Sequence, residues 1–145
     1  MSNDVRVAIY RWFREEGRAP MPQELAQECG LSLHDVEAAL RQLHDDDVIA
    51  LAPGTSFIWL AHPFSALDAP FRVQSQGRSW NAICIWDALG IIALLDSDGV
   101  VRTTCPDCGD ALDVEVREGR IVGHDDYIVH FGVPAARWYE DVGYT

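Results

Sequence analysis

The sequence predicts an α+β protein, with a winged-helix-like helical module over residues 1–62 packed on a small mixed or antiparallel sheet domain over 63–145. Three observations carry that prediction. Apolar residues recur with a helical period up to about residue 45, and the pattern then changes to short β-prone runs punctuated by Gly and Pro. An apolar share of 48% over 145 residues is enough to fill the core of one ordinary domain or two small ones. Strands with only short helices between them, as in the second half, belong to the α+β class.

In chain order, Val5, Ile9, Trp12 and Phe13 line one face of a helix that should end near Gly17. Pro22 suits the first turn of a second helix, because its missing N–H is not needed there, and Gly30 closes it. Ser32 caps a third helix whose stripe is Val36, Leu40 and Leu43, with Asp35 at the positive end of the dipole. The runs 48–51 and 57–60, separated by Pro53 and Gly54, predict a hairpin. Residues 63–79, broken by Pro63 and Pro70, read as a connector. The run 80–86 reads as a buried strand, and the following run as a short buried helix capped by Asp87. Runs 100–104, 112–117 and 127–131 are strand-like, Glu118 and Gly119 supply a turn, and Pro134 opens a helix to about residue 142.

Charge excludes several functions. All 11 basic residues are arginine, against 23 acidic residues, for a net charge of −12. A general nucleic-acid or anionic-membrane surface needs clustered cations. The winged-helix outline invites a DNA-binding reading, yet residues 1–62 hold five arginines against ten acids. The third helix presents Asp35 and Glu37 where base-reading helices carry Arg, Lys, Asn or Gln. Nucleic acid is therefore not an expected partner, and the module reads as a scaffold or interaction element. No run approaches the roughly 18–20 apolar residues of a membrane span. With no signal-peptide pattern at the N-terminus, the expected location is cytoplasmic. In that reducing setting Cys29, Cys84, Cys105 and Cys108 are expected as thiols or metal ligands rather than disulfides.

The sharpest chemical feature is Cys84 followed three residues later by Asp87, where an apolar strand gives way to a helix. A thiol at a helix N-terminus can have a lowered pKa, and a carboxylic acid in an apolar setting can hold a proton for donation. A soft thiolate beside a proton donor suits cleavage of a bond to a soft metal. A buried Cys next to an Asp N-cap explains the same residues structurally. Trp80 and Trp86 flank Cys84 and could wall an apolar pocket or simply fill the core. Cys105 and Cys108 have C-x-x-C spacing and could hold one soft ion or, with His124 and His130, a structural zinc. The simpler reading is a Pro-Asp turn with partly exposed thiols. Cys29 reads as a packed thiol, His34, His44 and His62 as isolated side chains, and residues 45–47 as a solvated acidic turn.

Residues 61–66 (Ala-His-Pro-Phe-Ser-Ala) through Val73, Gly77 and Arg78, and 81–91 (Asn-Ala-Ile-Cys-Ile-Trp-Asp-Ala-Leu-Gly-Ile), resemble the alkylmercury (organomercurial) lyase family. The run 129–131 (Val-His-Phe) and residues 133–145 are similar to that family's C-terminal signature. The resemblance spans roughly residues 20–145 and includes a helical module that does not read DNA in these lyases. It implies a lyase-type α+β fold and protonolysis of a carbon–mercury bond by two cysteines and an aspartate. Cys84 would be the first cysteine, the thiolate that captures mercury, and Asp87 the proton-handling aspartate. Hg(II) would remain as bound product on Cys84 and Asp87 until thiol donors or a mercuric reductase remove it, and no organic cofactor would be required.

The family's second catalytic cysteine has no counterpart after Cys108, which fits a short homologue, a truncated chain or a site where another thiol substitutes. Cys105 and Cys108 are the remaining candidates for a second thiol. The alternative expectation is a non-catalytic soft-metal-binding or sensing protein on the same fold, and after it a winged-helix regulator.

Overall fold

A computed structural model of the chain describes residues 2–140 and resolves two compact units, divided between Leu67 and Asp68. In the first, α1 (Ser2–Glu16), α2 (Pro22–Cys29) and α3 (Leu33–Asp45) precede three short antiparallel strands, β1 (Ala50–Leu51), β2 (Ile58–Ala61) and β3 (Phe64–Ser65). Helix α1 buries Val5, Ala8, Ile9 and Phe13. Trp12 lies on the flank of that stripe, where its indole N–H donates to Glu28. Pro22 stands at the start of α2 and Gly30 takes the left-handed conformation after it (φ 65°). The Ser32 hydroxyl accepts the Asp35 N–H at 3.1 Å, the cap expected from sequence. The Phe13 and Phe64 rings stack at 5.3 Å, and the Tyr10 hydroxyl donates to the His62 carbonyl at 3.1 Å. Both contacts tie α1 to the β2–β3 end of the unit.

The second unit is an antiparallel sheet in the order β5-β4-β6-β7-β8 with one helix, α4 (Ile85–Leu95), on its face. Its strands are β4 (Phe71–Ser75), β5 (Arg78–Ala82), β6 (Gly99–Thr104), β7 (Ala111–Arg117) and β8 (Arg120–Val122). Period-two alternation sends Val73, Trp80, Val101, Val114 and Val116 inward, and these are buried. Arg72, Asn81, Arg102 and Asp113 pair in one row of the ladder and point to the other face. Helix α4 packs on β4, β5 and β6 through Ala88, Ile91, Ile92 and Leu95. The three larger side chains contribute about 1.5–3 kcal/mol each on burial.

Two tight hairpins set the register. Gln76 and Gly77 (φ 52° and 74°) join β4 to β5, and Glu118 and Gly119 (φ 49° and 71°) join β7 to β8. Two-residue loops with both φ positive match the right-handed twist of the strands they join. The buried Ser75 hydroxyl donates to the Asp98 carbonyl at 2.6 Å, and the Asp98 carboxylate accepts the Glu118 N–H at 2.8 Å. These bonds tie the start of β6 to its neighbours on both sides.

Several expectations are corrected. Residues 63–79 are not a connector: they contain β3 and β4, and β4 is an interior strand of the second sheet. Its alternation, Phe71, Val73 and Ser75 against Arg72 and Gln74, is short and lies between Pro70 and Gly77, which masks it. The strand predicted for 80–86 ends at Ala82, because Ile85 already belongs to α4. Residues 127–131 are not a strand: Gly123 and His124 take positive φ (75° and 62°) directly after β8 and turn the chain away from the ladder. Tyr127, Ile128, Val129 and Phe131 are consequently exposed, Ile128 by 88%. The helix expected after Pro134 is a 3-10 segment, Ala135–Glu140, and residues 141–145 lie outside the described residues. No helix among the described residues is long and apolar enough to cross a membrane.

Gly99 lies close to both the neighbouring strand β4 and helix α4. A Cβ there would lie 2.9 Å from the Gln74 carbonyl oxygen and 3.1 Å from the Ile92 side chain. Urea unfolding should show Gly99→Ala destabilised by about 1–3 kcal/mol. Gly132→Ala, where nothing lies within 4 Å, should stay within about 0.5 kcal/mol of the parent. Equal stability of the two variants would contradict this packing.

Candidate functional site

Helix α4 begins where its apolar stripe must dock, and that fixes the residue before it. Cys84 is the N-cap, with extended backbone (φ −142°, ψ 166°). Its carbonyl accepts the first helical bond, from the Ala88 N–H at 3.0 Å, and its Sγ accepts the Asp87 N–H at 3.3 Å. The cap expected at Asp87 is therefore supplied by Cys84, and Asp87 sits in the first turn. The thiol takes the place that a Ser or Asp oxygen usually holds. Asp87 therefore does not cap the helix, and it lies in the first turn after the sulfur.

The Cys84 thiol is half-buried, and burial pushes its pKa above the ordinary thiol value. The N–H donations from Asp87 and Trp86 act in the opposite direction, while the Asp87 carboxylate adds to the rise. The expected lowering by the helix N-terminus is thus outweighed, and Cys84 carries its proton at neutral pH. Of the flanking tryptophans, Trp80 is 2% exposed and belongs to the core, whereas Trp86 is 66% exposed. They do not form two walls of one pocket.

Cys105 and Cys108 lie in the loop between β6 and β7. It is closed by the Cys105 N–H on the Asp110 carbonyl and the Gly109 N–H on the Cys105 carbonyl, both at 2.8 Å. The N–H groups of Cys108 and Asp107, then the Cys108 thiol, donate to the Cys105 sulfur and lower its pKa. The Asp110 N–H donates to Cys108, but the bond shared with Cys105 and the Asp110 carboxylate outweigh it and raise Cys108. The two sulfurs are thus shifted in opposite directions, Cys105 down and Cys108 up.

The sheet brings the two cysteine sites to one end. Asn81, Arg72 and Arg102 pair across β5, β4 and β6 in a single row. Cys84 follows Asn81 by three residues and Cys105 follows Arg102 by three, with both strands running the same way. They are separated by one strand, so their strand axes are about 10 Å apart. Because β4 was not recognised in the sequence, this juxtaposition was not legible there. The residues of the proposed zinc set are not gathered: among the described residues no group of three or more His, Cys, Asp or Glu side chains could hold a metal. His124 instead shares a hydrogen bond with the Asp113 carbonyl at 3.0 Å. Cys29 is a partly buried thiol whose pKa is raised chiefly by burial.

A groove of about 640 Å³ lies at the opposite end of the sheet, lined by residues that include Arg78, Asp98, Glu115 and Arg117. A second of about 370 Å³ lies between α4 and the β7–β8 turn. Neither is lined by Cys84 or Cys105.

The opposite shifts of Cys84 and Cys105 predict an order of reactivity, since the thiolate is the nucleophile. Pulsed alkylation at neutral pH, read by peptide mass spectrometry, should label Cys105 before Cys84. Labelling of Cys84 should keep accelerating with pH beyond the point where Cys105 has levelled off. Labelling of Cys84 before Cys105 at neutral pH would contradict the assigned shifts.

The alkylmercury lyase family matches the chain over residues 64–145, the part that holds β4–β8, α4, Cys84, Cys105 and Cys108. Among curated proteins none matches. A solved structure described as the mercury-bound form of MerB2 superposes with a TM-score of 0.64 at 21% identity, over 81% of this chain. The present chain spans 58% of the length of that one, and at that identity the likeness speaks for the fold. With more than half of its residues matched to the family, the chain belongs to the alkylmercury lyases.

Proposed function

We propose that the chain handles organomercurials, with Cys84 as the mercury-capturing thiol and Asp87 as the group that moves the proton. The observation that carries this reading is the N-terminus of α4, where a protonated thiol caps the helix and a carboxylate sits one turn away. Family membership and a mercury-bound structural relative support the same substrate class.

The proton balance follows from Cys84 holding its proton. Capture of R–Hg⁺ requires the thiol proton to leave, and the Asp87 carboxylate is the neighbouring base. The Cys84 thiolate binds mercury while Asp87 holds the proton. The proton then passes to the carbon of the Hg–C bond, R–H departs, and Hg(II) remains on the Cys84 thiolate and Asp87 carboxylate. Mercury stays divalent throughout, so no redox cofactor is consumed.

One observation favours a second reading, capture without cleavage. Among the described residues no third His, Cys, Asp or Glu side chain joins Cys84 and Asp87 in a metal-binding group. A second thiolate on mercury weakens the Hg–C bond, and a non-catalytic soft-metal-binding protein would not need it.

Benzene release from a phenylmercury salt in the presence of excess small thiol separates the two readings. The lyase reading predicts release by the parent, its loss in Cys84→Ser, and a rate about 10²-fold lower or less in Asp87→Asn. Tight phenylmercury binding by the parent with no benzene would leave only the capture reading.

A further inference from the structure

The β6–β7 loop holds two sulfurs that α4 chemistry does not use. Cys105 and Cys108 stand three residues apart in one turn, the C-x-x-C spacing at which one ion can touch both sulfurs. The loop is held in this shape by the two 2.8 Å backbone bonds across it, and Cys108 is exposed while Cys105 is partly so. The closed turn therefore carries both sulfurs on one short loop before any ion arrives, which reduces the reorganisation needed on binding. No third ligand-type side chain joins the pair among the described residues. Zinc in a structural site takes four ligands in tetrahedral array, which this loop does not supply. Soft ions content with two thiolates, such as Hg(II) or Cu(I), match it.

We propose that Cys105 and Cys108 form a two-thiolate site for a soft two-coordinate ion, and that it accepts Hg(II) released at Cys84 and Asp87. Ion binding stands on the loop itself; the acceptor role rests on the organomercurial reading above. The sheet register carries the link between them, because both sites leave the same end of the sheet on either side of β4. The strands that lead into the two sites have axes about 10 Å apart, two strand spacings. The exchange balances without redox change. Hg(II) leaves the Cys84 thiolate and Asp87 carboxylate and binds the Cys105 thiolate and the Cys108 sulfur. The proton displaced from Cys108 ends on Cys84. Two thiolates replace a thiolate and a carboxylate, which favours transfer in that direction for a soft ion.

The test uses the reduced full chain freed of reductant, HgCl₂ as probe and a competing small dithiol, following the sulfur-to-mercury charge-transfer absorption. Cys84→Ser should keep one Hg(II) with an affinity within threefold of the parent. Cys105→Ser/Cys108→Ser should lose at least 100-fold. Both loop positions are solvent-accessible, and circular dichroism of the double variant should superpose on the parent. With one equivalent of Hg(II), alkylation of Cys105 and Cys108 should slow relative to the mercury-free protein while that of Cys84 does not. In the double variant the protection should move to Cys84. Retention of parental affinity by the double variant would overturn the site, and protection of Cys84 alone in the parent would overturn the acceptor role. Zn(II) should bind the parent and the double variant alike; tight Zn(II) binding dependent on the loop would overturn the two-coordinate assignment. If no benzene is released from phenylmercury but Hg(II) still sits on the loop, the lyase reading fails and the site stands.

Discussion

Helix α4 must bury Ala88, Ile91, Ile92 and Leu95 against β4, β5 and β6, and the arrangement around Cys84 follows from that requirement. A stripe of that length has one register on the sheet: rotating or sliding α4 by one residue would drive Trp86 or Leu94 inward and expose an isoleucine. Its first turn is then fixed, and residue 84 has to be extended to leave β5 and enter the helix. Any residue at 84 would occupy the capping position. That it is cysteine turns a structural role into a chemical one, since the sulfur receives the Asp87 N–H at 3.3 Å instead of the oxygen of a more usual cap. Gly99 belongs to the same constraint from the other side, because only a residue without Cβ lets β6 pass beneath Ile92.

The same burial decides the protonation of the site. Dipole and amide donors at a helix N-terminus favour thiolate, and desolvation favours thiol. At Cys84 desolvation wins, with the neighbouring carboxylate acting in the same direction. For a nucleophile that must attack carbon this would be a handicap. Under the proposed reading it would suit the task, because the proton needed by the leaving carbon would already be held at the sulfur that takes the metal. Partly exposed Cys105 shows the contrast. Without burial, loop N–H groups are enough to lower its pKa.

How much of this was legible in the sequence differs element by element. Pro22, Gly30 and Ser32 announce their roles because each acts through local backbone geometry, and local geometry is what residue type encodes. Glu118 and Gly119 do so for the same reason. Strand β4 was hidden because five alternating residues carry a weak periodic signal and the prolines nearby suggested a break. The segment 127–131 erred in the other direction: its β-branched and aromatic residues suit a strand, but strand formation needs a partner, and positive φ at Gly123 and His124 removes it from the ladder. The site was half legible. Cys84 and Asp87 stand out by spacing and by resemblance to the family, whereas the relation of Cys84 to Cys105 depends on β4 lying between their strands. Register is a non-local property.

Net charge joins the two sites in one physical picture. At −12, the chain attracts cations such as R–Hg⁺ and repels anionic thiols of the kind that would carry Hg(II) away. Under the proposed reading, substrate approach would be favoured by the same field that slows product removal from outside. Under the proposed reading, a mercury ion on Cys84 and Asp87 would dwell there unless a soft ligand already on the protein could take it. On that reading Cys105 and Cys108 would be such ligands, both accessible and both at the sheet end that Cys84 leaves. An acidic surface and a nearby dithiol thus make a consistent pair: the first concentrates the cation, and the second offers an exit that does not depend on overcoming the repulsion until the ion is at the surface.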